Sequence, residues 1–392
     1  MWFNGLLDLS VAQLILATLA MTHVTIISVT LYLHRHSAHN ALDLHPALAH
    51  FFRFWLWLTT AQNTREWTAI HRKHHAKCET EEDPHSPVIL GVRKVLFEGA
   101  ELYASSATPE TLERYGQRTP EDWLERRVYT PHKTLGIALL AVLDLLLFGV
   151  NGIWIWAVQM MWIPVWAAGV VNGLGHFIGY RNFECADNAR NISPIGLLIG
   201  GEELHNNHHT YPNSAKLSRR WFELDIGWCY IRLFQLFGLA KPKGYRPIAH
   251  KVPGKQHMDV ETVMAIANNR FDIMRQYRKR VMEPVLRQQR ALMDDEIRPR
   301  YRKFRQLLSR EVTLVKPRDK EHLDALLERH TVLRQIYEKS HELQVLWRQR
   351  GLKPQDKLQA LTEWCREAEA SGIRYLEEFA AHLKAYSLRP AA

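Results

Sequence analysis

The stretch LSVAQLILATLAMTHVTIISVTLYLHRHSAH, residues 9–39, decides the fold. Leu9 to Leu33 run for 25 residues without a formal charge, and the run ends directly on His34, His36 and His39. As a helix this uncharged part is about 37 Å long, enough for one crossing of a hydrocarbon core roughly 30 Å thick. No Lys or Arg precedes Arg35, and the run is too long for the core of a cleaved leader, so none is expected. Working outward, Thr134 to Tyr180 hold 47 residues whose only charge is Asp144, room for two crossings with a turn at Gly149 to Gly152. Ala47 to Gln62 carry Phe51, Phe52, Phe54, Trp55, Trp57 and Leu58 but also Arg53, which suits a helix lying in the interface. The expected architecture is all-α, with about three membrane spans plus an interfacial helix. Lys and Arg are missing before Asp8 and frequent after Arg35 and Arg181, so the N-terminus is expected outside. His34 to Lys133 and Arg181 to Ala392 are then cytoplasmic.

Charge divides the chain a second way. Of 51 Lys plus Arg and 41 Asp plus Glu in 392 residues, residues 1–240 hold 19 and 21, whereas residues 241–392 hold 32 and 20. The whole excess of +10 therefore comes from the C-terminal part. We place the boundary at 250, with residues 1–250 as the membrane and metal part and 251–392 as a basic helical extension. Cys78, Cys185, Cys229 and Cys365 form no CxxC pair and no disulfide framework.

Fifteen of the 21 histidines lie in the first 240 residues, and most are clustered. HRKHH supplies His71, His74 and His75, and HNNHH supplies His205, His208 and His209. Residues at i, i+3 and i+4 share one helical face, so each triplet presents three imidazoles to one side. His34 and His39 are five apart, about 140° on an ideal helix, so they suit two different metals or a helix that ends between them. His176 ends the NGLGH motif. Topology brings all of these to one membrane face, and nine imidazoles exceed what one ion takes. Nitrogen donors alone fit iron, copper or zinc and exclude calcium or magnesium. His36 matches neither neighbour in spacing and is read as a surface or supporting residue. His23, His45, His50, His85, His132 and His250 are read as structural.

HRHSAH after a first span, HRKHH followed by ETEEDPH, NGLGH followed by GYR, and GEELHNNHHTYP resemble the integral-membrane fatty acyl desaturases. The likeness covers about residues 20–242 and is to the delta-9 acyl-CoA branch in its bacterial form. It implies two Fe ions held by His34, His39, His71, His74, His75, His176, His205, His208 and His209, with Asn172 reaching one metal through water. It also implies O2 as co-substrate, a saturated acyl-CoA or other acyl carrier, a separate NAD(P)H-dependent reductase or ferredoxin, and a bacterial inner membrane. Asn63 and Trp67 match positions near the thioester end of the substrate. Animal members carry an Arg-Asp pair where this chain has Ala69 and Ile70, so that coenzyme A contact is missing. No HPGG haem motif occurs, so no cytochrome b5 domain is expected.

Removing hydrogen from an unactivated methylene is beyond any side-chain acid or base, so a metal cofactor must carry the chemistry. The protein's task is to orient it, and carboxylates usually accept the free N–H of ligating histidines. Glu66, Asp83, Glu184, Asp187, Glu202 and Glu203 flank the motifs and are candidates. Phe51 to Trp57 with Trp154, Trp156, Trp162 and Trp166 are candidates to line or shield a substrate tunnel. Two other readings compete: a related di-iron fatty acyl or alkane hydroxylase, and a metal transporter or sensor. Only His23 and Asp144 lie deep in the expected spans, which disfavours transport.

Arg270 to Arg305 hold 12 basic and 5 acidic residues. Solvated helix faces, anionic lipid and an acidic electron carrier are the expected explanations, with nucleic acid the least favoured. Leu376, Phe379, Leu383 and Tyr386 recur at helical spacing, so the last helix packs on something.

Overall fold

The computed structural model describes residues 4–243, 249–290, 301–349 and 351–388, and they form two compact units. The first comprises residues 1–181 and 187–245, the second residues 182–186 and 246–392. Both are mostly helical, and the described residues also form three two-stranded ribbons, two within the first unit and one within the second.

In the first unit, helix α1 starts at Val11 because Ser10 and Gln13 form a reciprocal capping box. It runs to Ser28 and continues without a break as a wider, π-helical segment, Val29–Ala38. Thr25 and Ser28 hydroxyls donate back to the carbonyls of Met21 and Val24 just before this change, a local bonding that loosens an α-helix. Strand β1, Leu42–Leu44, then pairs antiparallel with Ala240–Pro242. Helix α2, Pro46–Thr60, begins on a proline at its first turn and stops where Ala61 adopts φ 51°. Helix α3, Thr64–Lys77, is capped by Asn63, whose side-chain oxygen accepts from the backbone N–H groups of Arg65 and Glu66.

Val11–Ala38, of 28 residues, and Asn151–Leu174, of 24, are long and apolar enough to cross a membrane. The third expected span is shorter: Lys133–Phe148 has 16 residues, about 24 Å. It forms a hairpin with Asn151–Leu174 around Gly149, which has φ 64°. The two helices touch so closely that a Cβ on Gly152 would sit 2.1 Å from the Asp144 carbonyl oxygen. Outward-facing Ile15, Leu19, Leu139, Leu143, Ile153 and Trp154 leave these helices with exposed apolar surfaces.

A buried ion pair locks the first histidine motif to the segment that follows the fourth. Arg35, at 1% exposure, donates to Asp225 through both terminal nitrogens and to the carbonyls of Ala215 and Gly200. Asp225 also accepts from the backbone of Leu217 and caps the helix Ile226–Leu236 through Trp228.

The second unit packs its own core. Tyr277, Leu333, Ile336, Leu343, Leu361 and Phe379 are buried together, and the Tyr277 hydroxyl donates to the Ile336 carbonyl at 2.6 Å. Leu376, Leu383 and Tyr386 from the last helix and strand join this core.

Arg35→Met should cost about 3–5 kcal/mol, because it strands the Asp225 carboxylate without its cation. Thermal unfolding in detergent reads this directly, and the Arg35→Met/Asp225→Asn pair, which removes the stranded charge and keeps an acceptor for the Leu217 and Trp228 N–H groups, should recover part of the loss.

Candidate metal centre

Local structure sets each histidine in turn. In the π-helical segment the His39 N–H bonds to the His34 carbonyl five residues back, at 3.0 Å. Five residues then make slightly more than one turn, and the two rings lie 4.7 Å apart by centroid. The 140° separation of an ideal helix does not apply, and His34 and His39 join one group with His71 and His208. His71, His74 and His75 project from one face near the C-terminal end of α3. His176 follows the end of the helix Asn151–Leu174, and His205, His208 and His209 sit on the short helix His205–Thr210.

The inner nitrogens converge. Nε2 of His34 lies 3.1 Å from that of His208, His39 lies 2.8 Å from His71, and His75 lies 2.8 Å from His208. On the other side His176 and His205 meet at 3.1 Å, and His74 and His209 at 3.4 Å. Two four-histidine groups result, His34, His39, His71, His208 and His74, His176, His205, His209, with donor atoms within 4.8 Å of one another. His75 stands between them, its ring 4.7 Å from that of His208 and 4.5 Å from that of His209.

Carboxylates hold the outer nitrogens. Asp83 lies 2.9 Å from His74 Nδ1, Glu79 3.0 Å from His176, Asp187 3.1 Å from His209, and Glu202 2.9 Å from His34. An Nδ1–H held this way leaves the Nε2 lone pair pointing inward. Of the acids expected to do this, Asp83 and Asp187 do; Glu202 stands close to His34 Nδ1 without bonding it and accepts instead from the Thr30 hydroxyl at 2.6 Å. Glu66 instead pairs with Lys133, Glu184 with Arg310, and Glu203 accepts from the backbone N–H groups of Leu198, Ile199 and Gly201. Sequence reasoning missed Glu79. It occupies a left-handed position at φ 60° and accepts from the Asn188 backbone and amide, both at 2.7 Å, as well as facing His176. Its signal was present as the first residue of ETEEDPH.

Burial drives the imidazoles of His39, His71, His75, His205 and His208 well below their ordinary pKa, and neighbouring imidazoles push the same way, with Asp187 opposing them at His205. Burial brings His209 down to about 4 against the opposing pull of Asp187. Burial pushes the Asp83 carboxyl up, but His74 outweighs it and holds the group well below the usual range. Nine imidazoles, in two groups of four with His75 between them, are a nitrogen donor set that fits two borderline transition-metal ions.

A cavity of about 130 Å³ opens beside the histidines, lined by His34, His71 and His205 at one part and by Thr59, Ile137, Gln159 and Met160 elsewhere. Asn172 and Trp67 also line it, and Trp67 stacks on His71 at 4.8 Å. Asn63 does not: beyond capping α3, its amide donates to Glu125 at 3.0 Å and Thr130 at 2.6 Å. Of the aromatic residues expected to line a tunnel, none is on this wall among the described residues. Trp57, Trp156 and Trp162 donate instead to backbone carbonyls, and Trp154 faces outward.

His36 bonds to the Leu42 carbonyl, away from the cluster. His85, read as structural, is fully buried, stacks on His74 at 4.3 Å and forms a further group with His74 and Asp83. Cys78 stands outside the motifs in sequence, yet its Sγ is 4.0 Å from His209 Nδ1.

Unfolded histidines titrate near 6.5, above the folded values, so below that pH the unfolded chain binds more protons. The stability these groups contribute is complete above about 6.5 and is lost as pH falls toward the folded values, about 4 for His209. The melting temperature of chelator-treated protein should drop by more than ~5 °C between pH 7.5 and 5.5, and scanning calorimetry in detergent measures it.

Residues 9–232 match the model of the fatty acid desaturase family, and residues 261–389 match one described as a transposase. A probable chloroplastic lipid desaturase, ADS3.2, of Arabidopsis thaliana is 31% identical over 55% of this chain. The match spans 59% of that protein's length. Delta-9 acyl-lipid desaturase 1 of the same plant is 28% identical over 55% of this chain and 70% of its own. An sn-1 stearoyl-lipid 9-desaturase of Synechocystis is 31% identical over 55% and 66%. The four histidine motifs and their supporting carboxylates lie within the matched residues, and the chain belongs to the fatty acid desaturase family.

Proposed function

We propose that this protein is a membrane-bound desaturase that places a cis double bond, at the delta-9 position, in a saturated acyl chain. The observation that carries this reading is the pair of four-histidine groups, with His75 between them, opening onto a cavity with an apolar wall. Two Fe ions held by the nine histidines supply the oxidising chemistry with O2, fed by electrons from a separate reductase or ferredoxin. The chain's own part is positional. Glu79, Asp83 and Asp187 hold the Nδ1 side of His176, His74 and His209, so that their Nε2 atoms keep one orientation. Asn172 is a polar group on the cavity wall beside His205, suited to hold a water at the centre. Trp67 fixes the plane of His71 by stacking and presents an apolar face to the substrate. Ile137, Met160 and Ile163 exclude water along the same wall.

For the acyl carrier we favour a lipid over coenzyme A. Ala69 and Ile70, at the positions of the coenzyme A contacts, are 0% and 1% exposed and cannot reach a headgroup. The relatives named above are themselves described as lipid desaturases. The exposed apolar faces of α1 and of the hairpin suit a bilayer, with the histidines and the C-terminal unit on its cytoplasmic, inner-membrane side.

The test is expression in a host lacking this activity, followed by GC–MS of the fatty acids of each lipid class and iron analysis of the purified protein. Monounsaturated product in the lipid fraction, absent with His208→Ala together with most of the iron, is expected. A hydroxylated product without an alkene sinks the desaturase reading, and product from purified protein on acyl-CoA alone sinks the lipid carrier. Glu79→Ala should weaken iron retention about 10–100-fold, read by competition with a chelator.

A further inference from the structure

We propose that the loop of residues 195–201, between the third and fourth histidine motifs, dips into the hydrocarbon of the bilayer. The inference rests on the reading that Val11–Ala38 and Asn151–Leu174 cross a membrane. It adds to the membrane part a stretch of chain otherwise placed on the cytoplasmic side.

The stretch NISPIGLLIGG, Asn191 to Gly201, holds no charged residue. An apolar run of roughly 10–14 residues is too short to span and suits a re-entrant segment or a piece of buried core. Its contacts favour the first. The Trp162 indole donates to the Leu198 carbonyl at 3.1 Å, and Trp162 is the twelfth of the 24 residues of Asn151–Leu174. The loop therefore meets this helix near its middle, away from the end that leads to His176. Gly200 packs on Thr30, four residues before His34 in the other long helix, so closely that an added Cβ would lie 2.5 Å from the threonine methyl.

The outer face of the loop is apolar and open. Ile195, Leu197 and Leu198 are 55%, 44% and 42% exposed, and Met161 and Val165, which flank Trp162 on its helix, are exposed as well. The patch thus continues the outward surface of a helix suited to lipid. Ile195 pairs with Leu224 in a ribbon, and Phe222 and the 95% exposed Trp221 come just before that strand. Aromatic rings there suit the headgroup level at the edge of an inserted loop.

Irregular backbone at membrane depth must have its polar groups answered by the protein, because no water reaches them. Glu203 does this for the N–H groups of Leu198, Ile199 and Gly201. Trp162 answers the Leu198 carbonyl, Arg35 the Gly200 carbonyl, and the Ser193 hydroxyl the Ile195 N–H at 3.0 Å. A loop in solvent has water for these tasks. Glu203, which flanks the fourth motif without serving a histidine, thereby acquires a role.

The test uses the full chain with Leu198→Cys in a Cys229→Ser background, labelled with bimane and reconstituted in phosphatidylcholine–phosphatidylglycerol vesicles. The background protein is the blank for the remaining cysteines, and Leu139→Cys, on the outward face of Lys133–Phe148, reports the bilayer itself. Lipids bearing a nitroxide on the acyl chain should remove the Leu198→Cys fluorescence to the extent seen at Leu139→Cys, and aqueous iodide should leave it intact. Leu197→Cys takes its place if Leu198→Cys does not fold. Quenching by iodide overturns the proposal, and so does quenching by neither agent, the result for a loop covered by a second copy or another protein. Absence of lipid quenching at Leu139→Cys overturns the membrane reading on which the proposal rests.

Discussion

Nine imidazoles whose inner nitrogens stand 2.8–3.4 Å apart are the constraint around which the first unit is built. The fold must impose such crowding of polar rings. It does so from outside the cluster, with carboxylates on outer nitrogens and with the Arg35–Asp225 pair that ties the π-helical segment to the stretch after the fourth motif. Burying that ion pair is costly, and four bonds from the two terminal nitrogens of Arg35 offset the cost, although its Nε has no partner among the described residues. The low proton affinity of the buried histidines favours metal binding, because a protonated imidazole cannot be a ligand.

Much of this was legible in the residues. The two HxxHH triplets could hardly face anywhere but one side of a helix, and both do contribute to the cluster. The pairing of His34 with His39 was not legible, because it depends on a π-helical stretch that no side-chain pattern announces. Glu79 escaped because its role comes from a left-handed backbone position and from Asn188, over a hundred residues on. Asn63 looked like a substrate contact and is a helix cap, a role that its place before Thr64 could have suggested. The tryptophans were not decidable from sequence for a different reason: an apolar ring with one N–H is equally at home facing lipid, against a carbonyl at a helix crossing and against a ligand.

The C-terminal unit has a core of its own, with a buried tyrosine bonded to a helix carbonyl and a closing ribbon between His250–Lys251 and Tyr386–Ser387. Its basic surface charge, conspicuous in composition, is therefore carried on an ordinary packed helical body. Its residues match a family model different from that of the first unit, so the two parts of the chain have separate relatives.

The five residues 182–186 count with this second unit although the chain on both sides of them belongs to the first. The polypeptide thus passes from one unit to the other three times, and no single cut separates them. The last of the five, Ala186, is bonded directly to Asp187, whose carboxylate faces a candidate ligand. A shortened protein ending near residue 245 would keep every histidine of the centre and yet leave this stretch without the body it folds with. In this chain the extension is an inlaid piece, and the boundary between catalyst and appendage runs through a loop of the catalyst.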